Sequence, residues 1–253
     1  GIIEALKSEW ADSNKISSLA RSITPYNYQE EVRRKLEELS VSGGLLVVEA
    51  PTAAGKTEAI VATFFDQLIT SDWWLAPRFI YTLPTKALTL TTYARLRAYA
   101  RGISLLAKVP ELTVSFEYGG VLGGKHYLYG GVMTATTLDA AVYGYAAVRF
   151  PGRALDNPRV SMPVGILTTS LLVLDEVQLY QDIHYYSPRV LGAILVPLVQ
   201  AGCVVVVLTA TLPTVLLDIM TSGIGYERIE ASSSIRGDVK VDLTPLRRGE
   251  NII

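Results

Sequence analysis

The stretch that decides the fold is Leu45-Leu46-Val47-Val48-Glu49-Ala50-Pro51-Thr52-Ala53-Ala54-Gly55-Lys56-Thr57-Glu58-Ala59. Its apolar run at 45–48 predicts a buried parallel strand, its small residues predict a tight loop, and residues 58–69 carry a helical pattern. Such a loop directs successive backbone N–H groups and the positive end of the helix dipole into one concavity sized for phosphate. The stretch therefore predicts a phosphate-binding loop between a strand and a helix.

Two side chains of this loop have predicted roles toward a nucleotide. Lys56 is expected to neutralise the β and γ phosphates of ATP, and the Thr57 hydroxyl to bind the Mg²⁺ that bridges them. Ala50 stands where the motif has its first glycine, so a strict pattern search misses the loop. The alternative is a chance Gly-Lys-Thr at a helix N-terminus. The full set of predicted nucleotide-binding residues is Tyr28, Gln29, Thr52, Ala53, Ala54, Gly55, Lys56, Thr57 and Glu58.

Composition bounds the class of protein. The chain has 253 residues, of which 49% are hydrophobic and 19% charged, enough for one large core or one core with an appendage. The net charge of −1 provides no global basic field, so any nucleic-acid binding must be local. No apolar run reaches the ~18 residues of a membrane span and the start lacks a secretory layout, which predicts a cytoplasmic protein without a membrane partner.

Thiol and imidazole groups are too few for a metal cage or a disulfide framework. Cys203 is the single cysteine, and it lies in an apolar run, 203–208, where a core role is expected. His126 and His184 are the only histidines, and with that cysteine they cannot complete a metal site.

A glutamine precedes the phosphate loop at the head of a predicted amphipathic helix, 30–39. The amide of Gln29 offers a donor and an acceptor together, so it can pair with both the amino group and the ring nitrogen of adenine. The alternative is a solvated glutamine at a helix start. The phosphate loop downstream favours adenine.

A second strand is predicted at 78–83, and it leads directly into Pro84, Thr85 and Lys86 at the start of a helix that extends to residue 101. A threonine and a lysine at a strand's carboxyl end can hold a backbone phosphate of a nucleic acid. Alternatively, Thr85 is an ordinary helix N-cap.

The middle of the chain predicts a third strand at 112–117 and a fourth at 131–134. Thr137 or Asp139 is expected to cap the helix that follows, which should continue to about Phe150. Glycines at 119–124 predict a mobile surface loop, and breaks at 151–163 predict an irregular excursion. A second phosphate loop at 119–125 is rejected, because no strand enters it and no helix leaves it.

Two adjacent carboxylates, Asp175 and Glu176, end the apolar run 171–174. Burying such a pair is costly unless a cation is present, and a phosphate loop upstream identifies that cation as Mg²⁺. Asp175 is expected to hold the metal through water beside Thr57, and Glu176 to polarise the water that attacks the γ phosphate. The alternative is a solvated Asp-Glu pair at a strand end.

A continuous apolar run at 203–208, which is β-branched at 204–207, predicts a central strand buried on both faces. Thr209 and Thr211 follow at its carboxyl end, where ligands of open α/β sheets bind. Their hydroxyls are expected to bond to Gln178 and to transmit the state of the nucleotide. A helix to about Met220 and edge strands or a linker at 227–230 and 239–243 complete the predicted elements.

In this order and spacing, the motifs resemble the first RecA-like domain of superfamily 2 helicases. The resemblance implies an α/β fold in which a mostly parallel central sheet carries helices on both faces. It assigns 1–24 to a helical lead-in, 25–222 to the ATP-binding domain and 223–253 to edge strands or a linker toward a second RecA-like domain. The matching positions are Gln29 for adenine, 50–57 for motif I, 84–86 for motif Ia, 134–139 for motif Ib, 175–178 for motif II and 209–211 for motif III.

Three details look most like the CRISPR-associated helicase of type I systems: Gly-Lys-Thr-Glu-Ala, Leu-Pro-Thr-Lys, and Asp-Glu-Val-Gln-Leu-Tyr with a later Thr-Ala-Thr-Leu-Pro. This resemblance implies an ATPase that moves on single-stranded DNA, with an HD nuclease and a guide-RNA surveillance complex as partners. Gln178 replaces the family's usual histidine, which keeps hydrogen bonding but removes a titratable group. The residues implied to contact the strand are Pro84, Thr85, Lys86, Thr134 and Thr137.

Nothing after Thr211 resembles the run whose paired arginines supply the finger in this superfamily, and some 40 residues cannot form such a domain. An arginine from a partner domain accelerates phosphoryl transfer by orders of magnitude, so the chain alone is expected to bind ATP weakly and to hydrolyse it poorly.

Three other functions are weighed against this one. An RNA helicase of the DEAD-box kind is disfavoured because Gln178 replaces that class's aspartate. A nucleotide-gated, non-hydrolysing module is disfavoured because Glu176 has no purpose in a pure switch. A small-molecule P-loop kinase is disfavoured because no arginine-rich lid is present.

Overall fold

The computed structural model describes residues 25–70, 72–107, 109–118, 121–122, 129–146, 162–180, 182 and 184–231. The predicted lead-in at 1–24, His126, most of the excursion at 151–163 and the predicted strand at 239–243 lie outside the described residues. The domain boundaries proposed from the sequence therefore stay predictions.

The described strands form one sheet that is parallel except at one margin. The sheet has eight strands in the order β4-β3-β5-β2-β6-β7-β1-β8, and only β3 and β4 pair antiparallel. Because the parallel strands share one direction, their carboxyl ends lie along the same edge. The bounds are β1 Gly44–Glu49, β2 Phe79–Leu83, β3 Val114–Tyr118, β4 Val121–Leu122, β5 Met133–Thr137, β6 Leu171–Leu174, β7 Val204–Thr209 and β8 Glu227–Glu230.

Helices cover both faces of the sheet, and each face has its own apolar core. Phe64, Tyr81 and Leu96 belong to one core, whereas Leu172 and Leu195 belong to the other. The predicted α/β class, with a mostly parallel central sheet and helices on both faces, is confirmed. The helices are α1 Asn27–Leu39, α2 Lys56–Thr70, α3 Lys86–Ala107, α4 Leu138–Tyr145, α5 Met162–Thr168, α6 Tyr186–Gln200 and α7 Thr214–Thr221, with a 3₁₀ helix at Val177–Tyr180.

The central strand β7 shows why continuous apolar runs predict this sheet. All its residues are buried, and its side chains alternate between the two cores, with Val206 in one and Val205 in the other. A strand covered on both faces needs apolar residues at every position. In register, Glu49 of β1 lies opposite Thr209, so the phosphate loop and motif III begin at the same level.

Several predicted boundaries are wrong. Strand β5 continues through Thr137, the hydroxyl of which accepts the Ala140 amide at 3.4 Å and caps α4. That helix ends at Tyr145, so the predicted extension toward Phe150 is not seen in the described part. Helix α6 was not predicted at all. Strand β8 pairs with β1, as expected for an edge strand.

Candidate nucleotide-binding site

The phosphate loop lies between β1 and α2 and turns through left-handed backbone conformations. Ala53 has φ 61° and Gly55 has φ 84°. Gly55 adopts such a φ at no steric cost, and α2 begins at the next residue. The loop therefore presents backbone amides at a helix N-terminus, as a phosphate site requires.

The side chain of Lys56 lies inside the loop and is only 7% exposed. Its Nζ donates to the carbonyl oxygens of Ala50 at 2.6 Å and Pro51 at 3.1 Å. These two hydrogen bonds fix the position of the ammonium group. The ammonium group is consequently held within the concavity where phosphate charge would be favourable.

A hydroxyl not predicted from the sequence joins motifs I and II. Tyr81 of β2 is fully buried, and its phenol oxygen lies 3.0 Å from Thr57 Oγ1 and 2.5 Å from Asp175 Oδ2. The two residues predicted to bind Mg²⁺ therefore contact the same atom. They are brought together although β7 lies between β6, which ends beside Asp175, and β1, which leads to Thr57.

Burial of Asp175 is the main electrostatic feature of the site. Desolvation raises the pKa of its carboxyl, and the nearby Glu176 charge adds to this effect, while the Tyr81 hydrogen bond and the Lys56 charge oppose it. A buried carboxylate with this bias favours a cation beside it. The hydroxyl and carboxylate oxygens of Thr57 and Asp175 are the ligand type that Mg²⁺ prefers, so the residues present fit the ion.

The residues that the structure describes do not by themselves form a full set of metal ligands. Within the described residues, no group of three or more His, Cys, Asp or Glu side chains could hold an ion. Mg²⁺ commonly keeps waters and binds through one or two protein oxygens together with substrate phosphates. The geometry therefore fits a metal that arrives with a nucleotide.

Motifs II and III are connected through Gln178. Its amide Nε2 donates to the Glu176 carboxylate, and its Oε1 accepts from Thr209 Oγ1 at 2.7 Å. Thr209 Oγ1 also lies 2.9 Å from the Thr211 carbonyl, so Thr211 enters the network through its backbone rather than through the hydroxyl that we predicted. Glu176 has φ 53°, a strained conformation of the kind that concentrates at functional sites.

Two residues of α1 that are predicted to bind the nucleotide contact the phosphate loop itself. Tyr28 donates its hydroxyl to the Ala54 carbonyl at 2.6 Å, and Gln29 Nε2 donates to the Gly55 carbonyl at 3.1 Å. Gln29 Oε1 accepts from the Tyr26 amide at 3.1 Å at the start of α1. Helix α1 thereby supports the loop. An adenine contact by Gln29 stays a prediction.

The carboxylate of Glu58 bonds to two side chains of α3 through one oxygen. Its Oε1 accepts from Arg95 Nη2 at 2.5 Å and from the Tyr99 hydroxyl at 2.6 Å. This contact ties the phosphate-loop helix to the helix that begins at Lys86. Any contribution of Glu58 to phosphate binding is consequently expected through its backbone amide.

The residues predicted to contact nucleic acid fall into an exposed group and a buried group. Thr85 and Lys86 are exposed beyond the carboxyl end of β2, and Pro84 is half-buried beside them. Thr137 is 6% exposed and serves as the N-cap of α4. The prediction that Thr134 contacts the nucleic acid is wrong. Thr134 is fully buried within β5, and its hydroxyl bonds to Ser115 Oγ at 2.8 Å. A strand of DNA cannot reach it.

Sequence reasoning missed Tyr81, Arg95 and Tyr99. Each lies inside an element predicted for its apolar or helical pattern, and no local signal separates their polar groups from core or surface positions. Alternation within β2 would have placed Tyr81 on one face with Phe79, but not beside Thr57. Its role depends on which strands are neighbours.

The chain is similar to known proteins in both sequence and structure. The model of the DEAD/DEAH box helicase family matches residues 26–219. The CRISPR-associated helicase Cas3 of Thermoproteus tenax is 37% identical over 215 residues, which cover 84% of this chain and 37% of that protein. The chain thus spans little more than a third of this curated relative.

Among solved structures, Cas3 of T. fusca in complex with ATP superimposes with a TM-score of 0.59 at 20% identity, covering 84% of this chain and 24% of that one. The DUF1998 helicase MrfA bound to DNA gives a TM-score of 0.60 at 18% identity, covering 91% and 27% respectively. These likenesses establish the fold. No helix in the described portion is both long and apolar enough to cross a membrane.

Proposed function

We propose, from the premise that this chain belongs to the DEAD/DEAH box helicase family, that it is the ATP-binding half of a DNA helicase of CRISPR interference that translocates on single-stranded DNA. The family membership supports nucleotide binding. The finer assignment is supported by the similarity to a protein described as a CRISPR-associated helicase Cas3.

The observation that carries the ATPase proposal is the convergence of Thr57 and Asp175 on the Tyr81 hydroxyl. A hydroxyl at the end of a phosphate loop and a carboxylate at a neighbouring strand end are the protein groups that hold the Mg²⁺ of a bound nucleotide in P-loop enzymes. We assign Thr57 as a direct ligand and Asp175 as a ligand through water. When bound, Mg²⁺ supplies positive charge against the charge that develops on the transferred phosphoryl group.

The remaining groups of the site suit phosphoryl transfer to water. Lys56 is held inside the loop, where its ammonium group would exchange carbonyl contacts for the β and γ phosphates. Glu176 is half-buried next to Asp175 and is the proposed acceptor of the proton from the attacking water. Gln178 orients the Glu176 carboxylate by hydrogen bonding.

A second RecA-like domain is proposed to complete this site. An arginine brought by such a domain would stabilise the transition state and raise the rate by about 10³-fold or more. Its closure over the loop and its reopening would move Thr85 and Lys86 along the strand in steps. An HD nuclease and a guide-RNA surveillance complex are the proposed partners, with the cytoplasm as the site of action.

ATP turnover measured in the chain joined to its proposed second domain tests the function. We expect single-stranded DNA to stimulate phosphate release, and Glu176→Gln to abolish the stimulated rate while leaving ATP bound. Glu111→Gln, which changes an exposed carboxylate outside the site, is the matched control and should behave as the unsubstituted protein.

Two outcomes would overturn this proposal. Stimulation by single-stranded RNA but not by DNA would instead favour an RNA helicase. ATP binding without hydrolysis in the presence of either single-stranded DNA or RNA would favour a nucleotide-gated module. In such a module, Glu176→Gln would have no effect on the rate of ATP hydrolysis.

A further inference from the structure

The two hydrogen bonds of the buried Tyr81 hydroxyl have a defined donor and acceptor. With Asp175 ionised, its carboxylate only accepts, so the single phenol proton is donated to Oδ2 over 2.5 Å. The phenol oxygen then accepts the proton of Thr57 over 3.0 Å. A phenol keeps its proton at neutral pH, so this pattern of donors and acceptors is maintained.

This chain of donors determines what Thr57 can offer to a cation. A hydroxyl that binds a metal must turn its lone pairs toward the ion and give its proton elsewhere. The phenol oxygen of Tyr81 accepts the hydrogen bond that the Thr57 hydroxyl donates, so both lone pairs of Thr57 Oγ1 are available to a cation. Without an acceptor in this place, the threonine hydroxyl can rotate.

Asp175 is oriented by the same phenol. Its Oδ2 is bound by Tyr81, and its Oδ1 accepts the Glu176 amide at 2.9 Å. Both carboxylate oxygens therefore have a fixed partner and a fixed direction. Groups that orient metal ligands in this way typically change metal affinity by about 10- to 100-fold when they are removed.

We propose that Tyr81 is a positioning residue that aims the Thr57 hydroxyl and the Asp175 carboxylate at the divalent cation of a bound nucleotide; this inference rests on the proposed function. The phenol acts through both ligands and does not itself contact the ion. Its ring is held rigidly by the core, with the Phe79 ring centroid at 5.8 Å. The hydroxyl is thus placed by packing rather than by the loop.

Mg²⁺ titrations of nucleotide binding test this assignment. A fluorescent ADP analogue is bound to the protein in the presence of chelator and then at graded Mg²⁺ concentrations. For Tyr81→Phe, which keeps the ring, we expect metal-free ADP affinity within about twofold of the unsubstituted protein. The Mg²⁺ concentration giving half of the affinity gain should rise about tenfold or more.

Tyr129→Phe is the matched control. Tyr129 is also fully buried, and its hydroxyl donates to the Ala140 carbonyl at 2.7 Å, in a hydrogen bond that involves none of the predicted metal ligands. Removal of that hydroxyl should lower stability without changing the Mg²⁺ dependence. A purely structural role for Tyr81 predicts that both variants behave alike.

The outcomes separate this inference from the proposed function. If Tyr81→Phe responds to Mg²⁺ as the unsubstituted protein does, the positioning role is overturned while the ATPase proposal stands. If the unsubstituted protein gains no affinity with Mg²⁺, both are overturned. Should Tyr81→Phe fail to fold, 3-fluorotyrosine at position 81 alone reports the same contact: its ¹⁹F resonance should shift when Mg²⁺ is added to the ADP complex, and an unchanged resonance overturns the role.

Discussion

Thr209 donates its hydroxyl to Gln178 Oε1 at 2.7 Å, while Gln178 donates through Nε2 to the carboxylate of Glu176. One amide thus spans the proposed base of motif II and the end of β7. A glutamine performs this bridging without titrating itself.

Replacing the Gln178 amide should uncouple ATP hydrolysis from the binding of single-stranded DNA. In Gln178→Ala, Glu176 loses a hydrogen bond, and bonds to charged groups contribute about 1.5–3 kcal/mol. We expect DNA-stimulated ATPase to fall by about ten- to a hundredfold, with ADP affinity nearly unchanged. Gln200→Ala, at the exposed end of α6, is the control. Equal losses in ATPase and ADP affinity would contradict a coupling role.

The charge of Asp175 should destabilise the nucleotide-free protein. Because burial raises the pKa of this carboxyl, the folded chain holds the proton to higher pH than the unfolded chain does. Its contribution to stability therefore improves as the pH falls through the folded pKa, and is least favourable above it.

The substitution Asp175→Asn tests whether the ionised carboxylate destabilises the nucleotide-free protein. We expect a higher melting temperature than that of the unsubstituted protein at pH 7 without nucleotide, and a difference that shrinks as the pH is lowered. The variant should also lose the stabilisation that Mg²⁺ and ADP add together. A lower melting temperature at neutral pH would show that the carboxylate is compensated within the protein.

Gly55→Ala should damage the phosphate loop. A Cβ at this position would lie 2.7 Å from Gln29 Nε2, and the φ of +84° is unfavourable for alanine by about 1–2 kcal/mol. The Gln29 contact with the loop would be lost, so ADP affinity should drop at least tenfold.

A matched glycine in α5 provides the control for this substitution. At Gly165 an added Cβ meets no atom within 4 Å, so Gly165→Ala should stabilise the helix by about 0.5–1 kcal/mol and leave ADP affinity intact. Urea unfolding and ADP titration measure both effects. Wild-type affinity in Gly55→Ala would show that the loop accommodates a side chain here.

Lys86 is exposed and Thr134 is buried, so substitutions at these two positions test which predicted contacts with single-stranded DNA are real. If Lys86 binds one phosphate, Lys86→Ala should reduce the slope of log affinity for single-stranded DNA against log salt by about 0.7. Thr134→Val should leave both affinity and slope unchanged, since Thr134 is fully buried. Fluorescence anisotropy at graded salt gives both values. An effect of Thr134→Val alone would place the DNA path elsewhere.

Cys203 should report on unfolding through its reactivity. It is 1% exposed, and burial raises the pKa of its thiol to about 12, so almost no thiolate exists at neutral pH. Alkylation by iodoacetamide should be slow in native buffer and fast in urea, and ADP with Mg²⁺ should slow it further by stabilising the fold. Rapid labelling of the native protein would show that β7 opens readily.

Local patterns predicted most of what makes this an α/β protein. The apolar runs of β1, β6 and β7 predicted buried strands, since a strand covered on both faces cannot carry polar side chains. The phosphate loop was visible because Gly55 and the residues around it must adopt a conformation that few sequences allow. The boundaries of β5 and α4 were predicted less well, since Thr137 serves both elements.

The sequence by itself therefore determined the fold class, the order of the motifs and the residues at the carboxyl ends of the strands. Only the tertiary structure decided that Tyr81 stands between Thr57 and Asp175 and that Thr134 is sealed inside the sheet. The physical reason is that a strand's periodicity specifies which side chains share a face. It does not specify which strands become neighbours, and contacts across neighbouring strands build the site.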